Sequence, residues 1–173
     1  MQYFIGCDQS LTSTGIVVLS EGRAVMRRVQ PKELRGAARL AHIRKEIIDL
    51  ATKFPPALAA CEGYSFNSVH RALDLGELGG MVRLAFFDLQ VPLVVVAPTT
   101  LKKFVTGNGG AKKDGKGGMR EAIASKWGAD IDQDDLADAY GLAQVARVFF
   151  TKSSTNRDEL EAVKGLTIEP LTK

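Results

Sequence analysis

Four acidic residues stand where the pattern of the sequence predicts the ends of secondary-structure elements. Asp8 closes a short apolar run, and Glu62 follows the small, apolar stretch 58–61. Asp135 and Asp138 lie three residues apart near the start of the last helical pattern, a spacing that puts both on one helix face. Carboxylates suit hard divalent ions, and two such ions about 4 Å apart would activate a water and stabilise the leaving oxygen of a phosphodiester. The four acids are therefore candidate ligands of a hydrolytic metal site.

The same acids have a second interpretation, as separate carboxylates in solvent. A strand flanked on both faces, as predicted before Glu62, makes an unpaired charge expensive, so this acid needs a partner, most simply a cation. Four crowded acids without a metal would have raised pKa values and would destabilise the fold. Asp134 is also four residues from Asp138, and Asp132 could cap the helix. Local spacing thus leaves open which acids converge.

The net charge of +3 is unevenly spread along the chain. The segment 97–126 holds seven Lys or Arg and two acids, whereas 127–140 holds five Asp and no base. Such asymmetry predicts an anionic partner beside an acidic pocket that binds cations. A pair of charged surface helices would give the same pattern.

Hydrophobic periodicity predicts an antiparallel meander followed by alternating helices and strands. The predicted strands are 3–9, 14–20, 23–29, 58–61 and 92–96, and the predicted helices are 35–52, 71–89, a short helix from 98, 119–127 and 134–150. This order indicates an α/β layered fold with a mixed sheet. The length of 173 residues predicts one domain over 1–150, and the polar composition of 151–173 predicts a loosely ordered C-terminal tail.

Composition bears on the cellular setting. No apolar run approaches the roughly 18 residues of a membrane span, and the N-terminus shows no secretory signal pattern. Cys7 and Cys61 lie inside apolar runs and predict buried thiols rather than a disulfide framework. We therefore expect a soluble, cytoplasmic protein.

Several motifs together resemble one known family. They are Gly6 to Gly15 (GCDQSLTSTG), Cys61-Glu62-Gly63, Leu75-Gly76, Ala97-Pro98 and Asp135 to Ala139 (DLADA). In this order they are similar to the RuvC family of Holliday junction resolvases, on the ribonuclease H-like fold with a mixed five-stranded sheet flanked by helices. The resemblance covers about residues 1–150 and implies a metal-dependent, structure-selective endonuclease acting on four-way junctions and other branched DNA.

The resemblance also implies roles for individual residues. Asp8, Glu62, Asp135 and Asp138 would be catalytic ligands of two Mg²⁺ ions, with Mn²⁺ as a substitute. Lys102 and Lys113 would be catalytic lysines near the scissile phosphate. The basic segment would contact the DNA backbone through Lys103, Lys112, Lys116 and Arg120. One exposed aromatic residue of the loop after Glu62, either Tyr64 or Phe66, would also contact DNA. This loop is about one residue shorter than usual.

The resemblance further implies a homodimer formed through helix 71–89, matching the two-fold symmetry of a four-way junction. The short loop and divergent tail look more like a phage-borne member, so the expected location is the cytoplasm of a bacterial or phage-infected cell.

Two alternatives stay open: another ribonuclease H-like nuclease that cuts RNA–DNA hybrids, and a non-catalytic junction-binding module. Arg27 and Arg28 either contact phosphate or keep an exposed strand edge soluble.

Overall fold

The chain folds around one mixed sheet, which the computed structural model describes for residues 1–63, 72–107 and 117–171. The strands are β1 (Tyr3–Asp8), β2 (Thr14–Ser20), β3 (Arg23–Val29), β4 (Pro56–Glu62) and β5 (Leu93–Val96). The helices are α1 (Gly36–Lys53), α2 (Ala72–Asp88), α3 (Pro98–Thr106), α4 (Gly117–Trp127), α5 (Asp134–Thr151) and α6 (Arg157–Val163). The strand order is β3-β2-β1-β4-β5, antiparallel among β1, β2 and β3 and parallel among β1, β4 and β5. The predicted α/β class and mixed five-stranded sheet are confirmed.

Two apolar cores lie on opposite faces of the sheet. Phe4 of β1 packs into the core that contains α5, and the next residue, Ile5, packs into the core formed with α1 and α2. This division follows from the strand geometry, since successive side chains point to opposite faces. Because β1 and β4 are covered on both faces, they are almost wholly apolar until their last residues.

Two glycines allow α5 to lie directly on the sheet. A Cβ at Gly6 would be 1.9 Å from the carbonyl oxygen of Ala139, and a Cβ at Gly15 would be 2.1 Å from the carbonyl oxygen of Asp135. Neither distance is compatible with a side chain. The missing Cβ atoms thus set the height of α5 above β1 and β2, and with it the position of the acidic first turns of the helix.

The segment after Thr151 is ordered in its described part, and the predicted loose tail is wrong there. It forms α6, whose Val163 is buried in the core beside α5. Further on, Ile168 bridges antiparallel to Val94, and the backbone N–H of Glu169 donates to the carbonyl of Leu93 at 2.8 Å. The composition of the segment is polar, but a few apolar side chains and the backbone hydrogen bonding to β5 are sufficient to hold it.

Two smaller predictions can also be compared with the structure. Cys7 and Cys61 are buried free thiols, as predicted. Among the residues that the structure describes, no helix combines the length and hydrophobicity needed to cross a bilayer.

Candidate active site

Asp8 and Glu62 are brought together by the pairing of two parallel strands. Cys7 of β1 is in register with Cys61 of β4, so the next residues, Asp8 and Glu62, end neighbouring strands at the same edge of the sheet. The side chain of Gln9 connects these ends, because its Nε2 donates to the carbonyl oxygen of Glu62 at 2.7 Å. The backbone therefore fixes this half of the site.

The other half comes from the start of α5. Asp135 and Asp138 are one helical turn apart, and the contact between Gly15 and the backbone of Asp135 holds this turn against β2. The Oδ1 atom of Asp135 accepts from the backbone N–H of Leu136 at 2.9 Å. A carboxylate in the first turn also interacts favourably with the helix dipole.

Electrostatic interactions link the four carboxylates. Burial raises the pKa of Asp8 well above its usual range, and the negative charges of Asp138, Glu62 and Asp135 raise it further. Burial, followed by the charge of Asp138, raises the pKa of Glu62 to about 7. Burial, followed by the charges of Asp134 and then Asp135, raises the pKa of Asp138 to about 6. Holding these negative charges close together therefore destabilises the folded protein when no cation is bound.

Lys102 supplies positive charge to this cluster from α3. Its charge acts against the rise in pKa at both Glu62 and Asp138, so α3 brings a cation within electrostatic range of these two carboxylates. The charge of the neighbouring Lys103 contributes to the lowered pKa of Glu161 on α6, after the larger effect of Lys164. Consecutive lysines thus have different surroundings.

Asp134 and Arg120 form a separate pair beside the site. Arg120 Nε lies 3.2 Å from Asp134 Oδ1, and its Nη1 donates to the carbonyl oxygen of Asp132 at 2.7 Å. Asp134 is half exposed, whereas the side chain of Asp135 is only 10% exposed. Asp134 acts on Asp138 through its charge, but its carboxylate is engaged by α4.

The chemistry of these side chains suits hard divalent ions, but they are not closed around one point. Within the described ranges, no three His, Cys, Asp or Glu side chains converge closely enough to enclose a metal ion. The Oδ2 atom of Asp135 accepts from Ser13 Oγ and from Arg28 Nε, the latter at 2.6 Å. Four carboxylates, three of them with raised pKa values, nonetheless form the all-oxygen, strongly negative environment that Mg²⁺ or Mn²⁺ requires.

The sequence did not predict the side chains that hold these carboxylates in place. Ser13 and Arg28 both bond Asp135, and Gln9 supports Glu62. The alternation of side chains along a strand offered one signal for Arg28. It requires Arg27 and Arg28 to point to opposite faces of β3, and therefore to have different partners. Accordingly, Arg27 pairs with Glu46 at 2.8 Å on the other face.

Some predicted site residues lie outside the described ranges: Tyr64, Phe66, Lys112, Lys113 and Lys116. A cleft of about 590 Å³ lies at the other end of β1, lined by residues that include Gln2, Trp127 and Arg147. None of the predicted site residues that the structure describes lines it. The carboxylates are instead grouped at the opposite edge of the sheet.

Comparison with known proteins gives consistent matches. The model of the family described as crossover junction endodeoxyribonuclease RuvC matches residues 4–146. The protein of that name from Chlorobium phaeovibrioides is 30% identical over 149 residues, covering 80% of this chain and 77% of the relative. The one from Roseiflexus is 31% identical over 148 residues, covering 80% and 86%.

Two solved structures share the fold. Thermus thermophilus RuvC in complex with a Holliday junction substrate matches with a TM-score of 0.68 and 23% identity, covering 83% of this chain and 91% of that one. The fowlpox virus resolvase bound to Holliday junction DNA matches with a TM-score of 0.55 and 12% identity, covering 83% and 95%.

Proposed function

The chain belongs to the RuvC family of crossover junction endodeoxyribonucleases and is thus a Holliday junction resolving endonuclease, and we propose that its four clustered carboxylates are the catalytic metal ligands. These are Asp8, Glu62, Asp135 and Asp138. The observation that carries the proposal is the accumulation of half-buried, mutually repelling carboxylates where β1, β4 and α5 meet. Other branched DNA is proposed as a further substrate.

The family is metal-dependent, and we propose Mg²⁺ as the natural ion, with Mn²⁺ as a substitute and two ions per site. When bound, the ions supply a water of lowered pKa and positive charge for the leaving oxygen. Asp8 and Glu62 define the fixed side of the site, because strand pairing holds their backbones. Asp135 and Asp138 complete it from α5, whose position depends on Gly6 and Gly15.

Lys102 is proposed to bind the scissile phosphate. Its charge already interacts with Glu62 and Asp138, which supports a place at the edge of the carboxylate cluster. A cation aimed at the charge that develops on the phosphate stabilises the transition state more than the ground state. Lys113 is proposed as a second catalytic lysine from the resemblance of its segment alone.

General contact with the DNA backbone is proposed for Lys103, Lys112, Lys116 and Arg120, and stacking at the crossover for Tyr64 or Phe66. Arg120 lies next to the acidic start of α5, so a phosphate would have to replace its pairing with Asp134. Phosphate contacts of this kind dominate affinity and make it depend on salt. We propose that this activity takes place in the cytoplasm of a bacterial or phage-infected cell.

A homodimer through α2 is proposed because this helix has two apolar faces. Leu78, Val82 and Phe86 are fully buried against the sheet. On the outside, Leu73 is 86% exposed and Leu84 is 52% exposed, and Phe87 is 45% exposed. A Cβ at Gly80 would meet no atom within 4 Å, so a partner helix could approach the backbone closely there. Two active sites related by a two-fold axis would match the symmetry of a four-way junction.

The test is cleavage of end-labelled substrates with Mg²⁺ or with EDTA. Four-way junctions should be cut symmetrically in Mg²⁺, and Asp8→Asn or Asp138→Asn should abolish cutting while junction binding persists, because affinity comes mainly from phosphate contacts. Asp134→Asn is the matched control on the same helix and should retain cleavage. Preferential cutting of RNA–DNA hybrids would support the other nuclease class, and binding without any Mg²⁺-dependent cutting would support a non-catalytic module.

A further inference from the structure

Asp135 is joined to a cationic side chain by a direct ion pair. Arg28 Nε donates to its Oδ2 at 2.6 Å, and Ser13 Oγ donates to the same oxygen. The backbone N–H of Leu136 donates to Oδ1. Since the Asp135 side chain is only 10% exposed, most of its ability to accept hydrogen bonds is already used by the protein.

The position of Arg28 is set by the sheet. Arg28 is in register with Gly15 on β2, and Gly15 is the residue on which the backbone of Asp135 rests. An arginine at this place on the edge strand therefore reaches the first turn of α5. Arg27, one residue earlier, points to the other face and pairs with Glu46.

We propose that Arg28 is a positioning residue that acts as an internal counter-cation: it holds Asp135 in the metal-free protein and releases it when a divalent ion binds. The inference rests on the proposed metal site. Its basis is that the Oδ2 atom of Asp135 is already bonded to both Arg28 and Ser13. An ion that recruits Asp135 must compete with the guanidinium for the same oxygen.

The released guanidinium has somewhere to go. The Arg28 side chain is 37% exposed and lies beside Asp135, so it can turn to solvent or to a phosphate of bound DNA. The exchange replaces one cation by another next to Asp135, so the buried carboxylate is not left without a counter-charge.

Titration of the DNA-free protein with Mn²⁺, followed by the electron paramagnetic resonance signal of free Mn²⁺, tests the proposal. Arg28→Gln should lower the Mn²⁺ dissociation constant about fivefold, the scale of one partly exposed ion pair. Arg27→Gln removes the same charge from the neighbouring residue and should change the constant less than about twofold. Arg28→Lys keeps the charge and should stay near the wild type.

A second pair of variants separates competition from general electrostatics. In an Asp135→Asn background, Arg28→Gln should change the Mn²⁺ affinity no more than Arg27→Gln does, because the shared oxygen has lost its charge. In EDTA, Arg28→Gln should also have a lower urea midpoint than the wild type, since Asp135 has lost a partner.

An unchanged or weaker Mn²⁺ affinity in Arg28→Gln would overturn the proposal, as would equal tightening in Arg27→Gln. Because no DNA is present, either result leaves the nuclease function standing. Absence of Mn²⁺ binding by the wild-type protein would overturn the metal site itself, together with this inference.

Discussion

Removing one charge from the carboxylate cluster should stabilise the metal-free protein. Glu62→Gln retains size and polarity but cannot ionise. Burial and the charge of Asp138 raise the pKa of Glu62 from its ordinary 4.5 to about 7, so the folded protein holds this proton more tightly than the unfolded chain. The stability contributed by Glu62 is therefore complete below pH 4.5 and is lost as the pH rises through about 7.

The size of the effect follows from that shift. The difference between 4.5 and about 7 corresponds to about 3 kcal/mol once Glu62 is fully ionised. Glu62 is partly exposed and its titration is coupled to Asp8 and Asp138, which reduces the expected gain of Glu62→Gln to about 1–2 kcal/mol. The gain should be seen at about pH 8 and should nearly vanish at about pH 4.5.

Urea denaturation in EDTA at these two pH values measures the gain directly. Glu121→Gln, an exposed carboxylate on α4, is the matched control and should change little at either pH. Adding Mg²⁺ should stabilise the wild type more than Glu62→Gln. The ion binds the folded state, and the variant lacks the Glu62 carboxylate that is proposed to bind it. Equal or lower stability of Glu62→Gln at about pH 8 would refute the reasoning that repulsion and desolvation dominate at this site.

Three further predictions concern the lysine, the dimer and the packing of α5. Lys102→Ala should lower the single-turnover cleavage rate about 100-fold, while Lys103→Ala should mainly weaken DNA binding; equal rate losses would contradict the assignment. Gly80→Glu should convert the dimer to a monomer in analytical ultracentrifugation. The control Gly118→Glu, at an equally open site, should leave the dimer intact. A wild-type protein that is monomeric both free and on junction DNA would exclude the dimer. Gly6→Ala should lower the free energy of unfolding by about 3 kcal/mol or more, measured by urea denaturation against Gly118→Ala, and a neutral result would mean that α5 can move away without loss.

Much of this protein could be predicted from local sequence because the relevant signals are periodic. Alternating and continuous apolar runs gave the five strands, and the spacing of apolar residues gave the main helices to within a few residues. The acids followed as residues at element ends. The family motifs then selected Asp135 and Asp138 from the five Asp of segment 127–140, a choice that spacing alone left open.

The contacts around those acids could not be predicted, because they join residues far apart in the chain. Arg28 reaches Asp135 only because of the cross-strand register and the bare Cα atom of Gly15, and Arg120 engages Asp134 only because α4 packs beside α5. The tail was predicted wrongly for the same reason: its order comes from contacts with β5 and with the α5 core, not from its own composition. The periodicity of the sequence determines which face of a helix or strand is apolar. Only tertiary packing decides which charged side chains of two different elements come into contact.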